Sequence, residues 1–284
     1  MAIVSSMIDK IKSKLPFGIK KIIRSLYPFN KSLPYTYFSP SFSQFNVSDF
    51  FLFRCDSFES IFIAENNLAI IIAEPIECKH LFYFFNVAGN QCGKFEVNSS
   101  LFHYQLSINS QMTGGENIGS FIHQTIYSDE CLKKEPAIAS KKLIFQHRGY
   151  AGYRKRNDNF DNYSFVHGNF GAMYYYKEKL RSLSIQRSEH YYTPQIIIKN
   201  GKFYEIYFNN PTRKLLKLSI VLKDKSNESN NIKTIYINPL GAYMFEFSST
   251  SKDQIYNISW KTNLPIGRAV LFENDGVLFD IFHT

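Results

Sequence analysis

With 284 residues, 44% of them hydrophobic, the chain holds enough apolar material for one large domain or two of ordinary size, which excludes a disordered or low-complexity protein. A formal charge of +9 permits attraction to anionic surfaces, but no nucleic-acid-binding motif accompanies it, so nucleic acid is not an expected partner. Four cysteines, Cys55, Cys78, Cys92 and Cys131, form no CxxC pair and show no recognised ligand spacing, which excludes a zinc finger and a disulfide scaffold.

The first 28 residues are basic and amphipathic. Lys10, Lys12, Lys14, Lys20, Lys21 and Arg24 stand against the single acid Asp9, and Ile8, Ile11, Leu15, Ile19, Ile22, Ile23 and Leu26 recur at spacings of three and four. That spacing predicts two short helices, broken at Pro16 and Gly18, with one apolar and one basic face. Such a segment suits an anionic membrane surface, each cation contributing about 1 kcal/mol there, and it equally suits packing on protein. No apolar run is long enough to cross a bilayer and no signal-peptide pattern follows the first charges, so the expectation is a cytoplasmic protein, with membrane contact one of the two readings of its N-terminus.

Residues 29–48, rich in Ser, Pro and Asn, read as a connector, and residues 49–130 as a first β domain. The 27 Phe and 19 Tyr favour extended structure, because aromatic side chains fit a pleated, half-buried surface. Ile61 to Pro75 reads as two strands turning at Asn66 and Asn67; Leu81–Val87 follows as an apolar strand, then alternating segments from Lys94, then a strand from Ile118. Residues 188–284 read as a second β domain in the same order: a hairpin turning at Asn200 and Gly201, then Leu216–Leu222, then a strand pair around Asn238, then Ile266. The shared order predicts an internal duplication, and hence an all-β chain of tandem antiparallel β-sandwiches behind a short amphipathic helical N-terminus.

Residues 131–187 then form a joining segment that carries most of the chemistry-bearing side chains. His147 and His167 could exchange protons near neutrality with Asp158 or Asp161 positioning them, which makes these four the catalytic candidates. Arg148, Arg154 and Arg156 could fork onto a carboxylate or phosphate. Tyr150, Tyr153, Asn169 and Tyr174 complete a candidate ligand surface of rings and amides suited to sugars. A solvated, self-neutralising loop from Arg154 to Asn162 is the plainer account of the charges. No GxGxxG, P-loop or GxSxG occurs, and His147, His167, His190 and the aspartates match no metal spacing, so no cofactor and no metal are expected.

β-Sandwiches mostly serve recognition. The expectation is therefore a non-catalytic binding protein for a carbohydrate-like or anionic ligand or a protein partner. The bias toward Lys, Asn, Ile and Phe, with the basic N-terminus, has the general look of bacterial cell-surface polysaccharide loci. The rival from another class is a sugar- or phosphoester-processing enzyme using His147 or His167 with the arginines as anion clamp. A third is a structural protein that forms homo-oligomers through sheet faces or edges.

Overall fold

Alternation along Phe58–Glu65, FESIFIAE, shows how the strands are written: Phe58, Ser60, Phe62 and Ala64 are buried on one face, while Glu59, Ile63 and Glu65 on the other are only half-buried. The computed structural model describes residues 47–134, 146, 147, 149–156, 162–176, 179–182, 187, 189–193, 197, 198, 201–223, 229–248, 256–264, 266, 269–274 and 279–283. The expected helices of residues 1–28 and all but the last two residues of the connector lie outside this set.

The first strands are β1 (Val47–Arg54), β2 (Phe58–Glu65), β3 (Cys78–Asn86), β4 (Gln91–Ser99), β5 (His103–Ile108), β6 (Ile118–Ile126), β7 (Gln146–His147), β8 (Gly149–Lys155), β9 (Ser164–His167), β10 (Asn169–Tyr176) and β11 (Lys179–Ser182). They are followed by β12 (His190–Tyr192), β13 (Ile197–Ile198), β14 (Phe203–Asn209), β15 (Leu216–Lys223), β16 (Ser229–Ile237), β17 (Ala242–Ser248), β18 (Tyr256–Thr262), β19 (Val270–Asn274) and β20 (Phe279–His283). Among the described residues the only helices are the short α1 (Asn67–Ile72) and α2 (Asp129–Lys133), and no helix is long and apolar enough to cross a membrane. The chain is thus nearly all antiparallel β, as the composition predicts.

Sheet I runs β11-β10-β1-β6-β3-β4, with β7 beside β1 in parallel, and sheet II runs β5-β2-β8-β9. Sheet III runs β12-β18-β15-β16, with β13 also on β18, and sheet IV runs β17-β14-β19-β20. Sheets I and II bury Phe51, Phe53, Phe82, Phe84 and Phe121 against Phe62, Leu106, Ala151 and Tyr153. Each such phenylalanine contributes about 2 kcal/mol on burial. Sheets III and IV bury Leu218, Ile220, Ile258 and Trp260 against Tyr204, Ile206, Phe208 and Leu271, with Phe208 edge-on to Trp260 at 5.1 Å.

Strand order in the two pairs of sheets is the same: β1-β6-β3-β4 answers β12-β18-β15-β16, and β5-β2-β8-β9 answers β17-β14-β19-β20. A matched pair of asparagines marks the crossovers out of β2 and out of β14. Buried Asn66 follows β2, accepts from Ala69 N at 3.3 Å and donates to Ile76 O at 2.7 Å, two residues before β3. Buried Asn210 follows β14, accepts from Thr212 N at 3.1 Å and donates to Lys214 O at 2.7 Å, two residues before β15.

Several expected details differ. Ile61 to Pro75 is one strand and then α1, not a hairpin, because Asn66 caps the helix, Tyr127 Oη receives the Leu68 N–H at 3.1 Å and Ala73 closes it at φ 57°. Tertiary hydrogen bonding here overrides the β preference of three consecutive isoleucines. Gly201 does turn, at φ 77°, but β13 pairs with β18 and β14 with β17 and β19, so no hairpin forms across it. Matching Leu81 to Leu216 has the wrong parity: Leu81 lies in a cluster with Phe50 and Tyr83, while Leu216 faces the core of sheets III and IV. A one-residue slip exchanges the two faces of a strand. The strand that answers β6 in the sheet order is β18, and Ile266 lies outside it. Residues 149–182, expected to join two domains, supply β8 and β9 to sheet II and β10 and β11 to sheet I.

The two pairs of sheets meet at Arg54, which is only 2% exposed. Its guanidinium reaches Asp56 Oδ2 at 2.6 Å and Glu205 Oε2 at 2.7 Å, and lies 4.0, 5.2 and 4.8 Å from the ring centroids of Phe58, Tyr207 and Phe272. Burial works against this charge, but Asp56, Tyr207 and Glu205 outweigh it and raise its pKa. A second contact joins Ala242 N to Val87 O at 3.1 Å. There Gly89, at φ 85°, admits Pro239 O so closely that a Cβ would sit 1.9 Å from it.

Candidate functional site

The outer face of sheet II gathers part of the sequence-predicted site. Cross-strand register places Glu59 opposite Arg154, Ile61 opposite Gly152 and Ile63 opposite Tyr150, and then Gly152 opposite Phe165 and Tyr150 opposite His167. Since alternate residues share a face, Tyr150, Arg154, Phe165 and His167 stand together on the solvent side. Tyr150 and Phe165 are 36% and 44% exposed, and the Tyr150 and His167 ring centroids lie 4.4 Å apart.

Gly152 makes this platform flat. A Cβ there would meet the Phe165 ring at 2.6 Å and Ile61 Cγ1 at 2.9 Å, so its absence lets Phe165 lie across β8 and cover Ile61, which is 4% exposed although it points outward. Beside the rings, Arg154 Nη2 and Nε donate to Glu59 Oε2 at 2.5 and 3.2 Å, and Tyr163 Oη donates to the same oxygen at 3.1 Å. Arg154, helped by Tyr163, holds the Glu59 carboxyl below its ordinary range. The result is a fixed, planar polar group beside exposed rings.

Other predicted residues lie elsewhere. Tyr153 turns inward, donates to Leu52 O at 2.6 Å and is 1% exposed, and burial pushes its phenol up. Asn169 is 3% exposed, on β10 opposite Phe50. Arg156 leaves the platform and donates through Nε to Phe58 O at 3.1 Å. His147 pairs along the backbone with Ser48, and Tyr174 with Val47. Arg148, Asp158, Asp161 and the six N-terminal cations lie outside the described residues. The sequence reading passed over Glu59, Ile63 and Phe165; alternation in FESIFIAE and the register of β8 with β9 are the signals that place them.

A second polar constellation is sealed inside the first pair of sheets. His80 Nδ1 and His123 Nε2 are 2.9 Å apart, His80 Nε2 lies 3.5 Å from Cys78 Sγ, and both histidines are 0% exposed. Burial holds His80 down at about 4 and pushes Cys78 up to about 12. A buried thiol that stays protonated is no nucleophile, so this chain of contacts is structural at neutral pH. Among the described residues, no group of three or more His, Cys, Asp or Glu is set to hold a metal ion.

No protein-family model and no curated protein matches this chain. Among solved structures it is similar to the major pilin from Streptococcus pyogenes, with 11% identity over 81% of this chain and 83% of that chain and a TM-score of 0.17. A likeness of that degree carries no argument.

Proposed function

We propose that the chain is a non-catalytic, cytoplasmic binding protein built of tandem β-sandwiches that arose by duplication, and that the outer face of sheet II takes a carbohydrate. The observation that carries this reading is the exposed pair Tyr150 and Phe165 on a rigid sheet face, next to the Arg154–Glu59–Tyr163 cluster. Flat rings stack on the C–H faces of sugar rings, and charge-assisted donors held in place bind hydroxyls with little ordering cost. The repeated strand order and the Asn66/Asn210 pair support the duplication. A glycan array probed with wild type and with the Tyr150→Ala/Phe165→Ala double variant tests the site. The variant is expected to lose the wild-type signals while its melting temperature stays within a few degrees; an unchanged array would refute the assignment.

The basic segment of residues 1–28 is proposed as a contact for anionic membrane surfaces. Deleting it should abolish sedimentation with phosphatidylserine vesicles, and undiminished sedimentation would remove the proposal.

A further inference from the structure

The same carbohydrate reading extends to a second face. We propose that the outer face of sheet III is a further glycan site, selective for an anionic, carboxylate-bearing polysaccharide. Tyr191 and Tyr236 are large side chains left mostly open to solvent, at 69% and 63% exposed. Register puts both on one face: Tyr191 is opposite Lys261, Lys261 opposite Ser219, Ser219 opposite Thr234, and Lys217 opposite Tyr236. The intervening positions turn the other way, where Leu218, Ile220 and Trp260 fill the core.

The tyrosines stand on β12 and β16, at opposite margins of the sheet, three strand spacings or about 14 Å apart across the strands and offset by two residues along them. Between them lies a floor of hydroxyls and ammonium groups. Ser219 Oγ and Thr234 Oγ1 are 3.0 Å apart, and Lys261 Nζ lies 5.1 Å from the Tyr191 ring centroid. Glu189 steadies this end, 2.7 Å from Lys261 Nζ and accepting from Tyr191 Oη at 3.2 Å. Lys217 and Lys261 together outweigh Glu189, so the floor is net positive.

The composition of this face selects the occupant. A docked protein needs an apolar centre to its interface, and here the centre is hydroxyl and ammonium while the rings sit at the margins. A hydroxyl-rich chain with carboxylates matches that order: rings for its sugar faces, hydroxyls for its hydroxyls, and lysines for its charge.

Affinity electrophoresis in gels containing polygalacturonate or dextran tests the site on the full chain. Polygalacturonate should retard wild type, and Tyr191→Ala or Tyr236→Ala should each weaken the apparent Kd about tenfold, the effect of about 1.4 kcal/mol. Lys217→Ala should weaken it at low salt and matter progressively less as salt rises. Retardation by polygalacturonate that is absent, or the same in all three variants, overturns the proposal, and so does equal retention by dextran. The Tyr150→Ala/Phe165→Ala variant separates the two faces. If it keeps polygalacturonate binding, sheet III stands whatever the fate of the sheet II platform; if it alone removes binding, the sheet III site falls.

Discussion

Replacing Arg54 by Met should destabilise the protein by about 3–5 kcal/mol, the cost of removing one partner from a buried ion pair. The figure follows from what remains. Glu205, its side chain 14% exposed, would keep a carboxylate inside the junction with its partner gone, and Phe58, Tyr207 and Phe272 would lose the cation they surround. Asp56, 27% exposed, turns to water at lower cost. For a folded unit of this size, 1 kcal/mol corresponds to about 2–4 °C in Tm, so Arg54→Met should melt roughly 10 °C lower in differential scanning calorimetry. The Arg54→Met/Glu205→Met double variant should recover most of the loss, because apolar groups of similar volume replace a buried pair at little net cost. An Arg54→Met loss below about 1 kcal/mol, or a double variant less stable than the single, would show that this pair does not hold the junction.

Stability should also depend on pH through His80. Its pKa is depressed by burial from 6.5 to about 4, so the unfolded chain binds more protons than the folded one between these values. The stabilisation is complete above about pH 6.5 and is lost as pH falls toward 4, a change of up to about 3 kcal/mol. Urea midpoints at pH 7.5 and 4.5 should therefore differ in wild type and converge in His80→Leu; equal slopes in the two proteins would contradict this. Asn210→Ala should cost about 2–4 kcal/mol, because its amide also donates to Ile237 O and Asn238 O at 3.0 and 2.9 Å and those carbonyls would lose it. Chemical denaturation measures this, and a loss under 1 kcal/mol would mean water replaces the amide.

How much of this was legible in the sequence follows from where the signal lies. Strands with one apolar face, such as β2 and β15, carry a period of two and are readable. The residues from Leu68 to Ile72 read as a strand, yet their helix depends on Tyr127, about sixty residues away, which no local window contains. Residues 149–155, GYAGYRK, looked like a joining loop because the inward positions are filled by Gly149, Ala151 and Tyr153, small or phenolic rather than aliphatic. The same ambiguity put Tyr153 among the ligand candidates, since a tyrosine on either face of a strand reads alike. Repeated strand order was visible as a rhythm, but the register within it was not, because apolar runs such as Leu81–Phe85 are buried on both faces and give no parity to align on. The platform on sheet II is assembled from β2, β8 and β9, and only the pairing across strands brings Glu59 to Arg154.

The two crossovers governed by Asn66 and Asn210 differ about twofold in length, yet deliver their strands into sheets of the same order. A single amide thus sets the start of the following strand irrespective of how much chain precedes it. The stretch now occupied by α1 is accordingly a natural graft point: foreign peptides inserted after Ile72 should leave the surrounding architecture intact as long as the asparagine keeps its grip on Ile76.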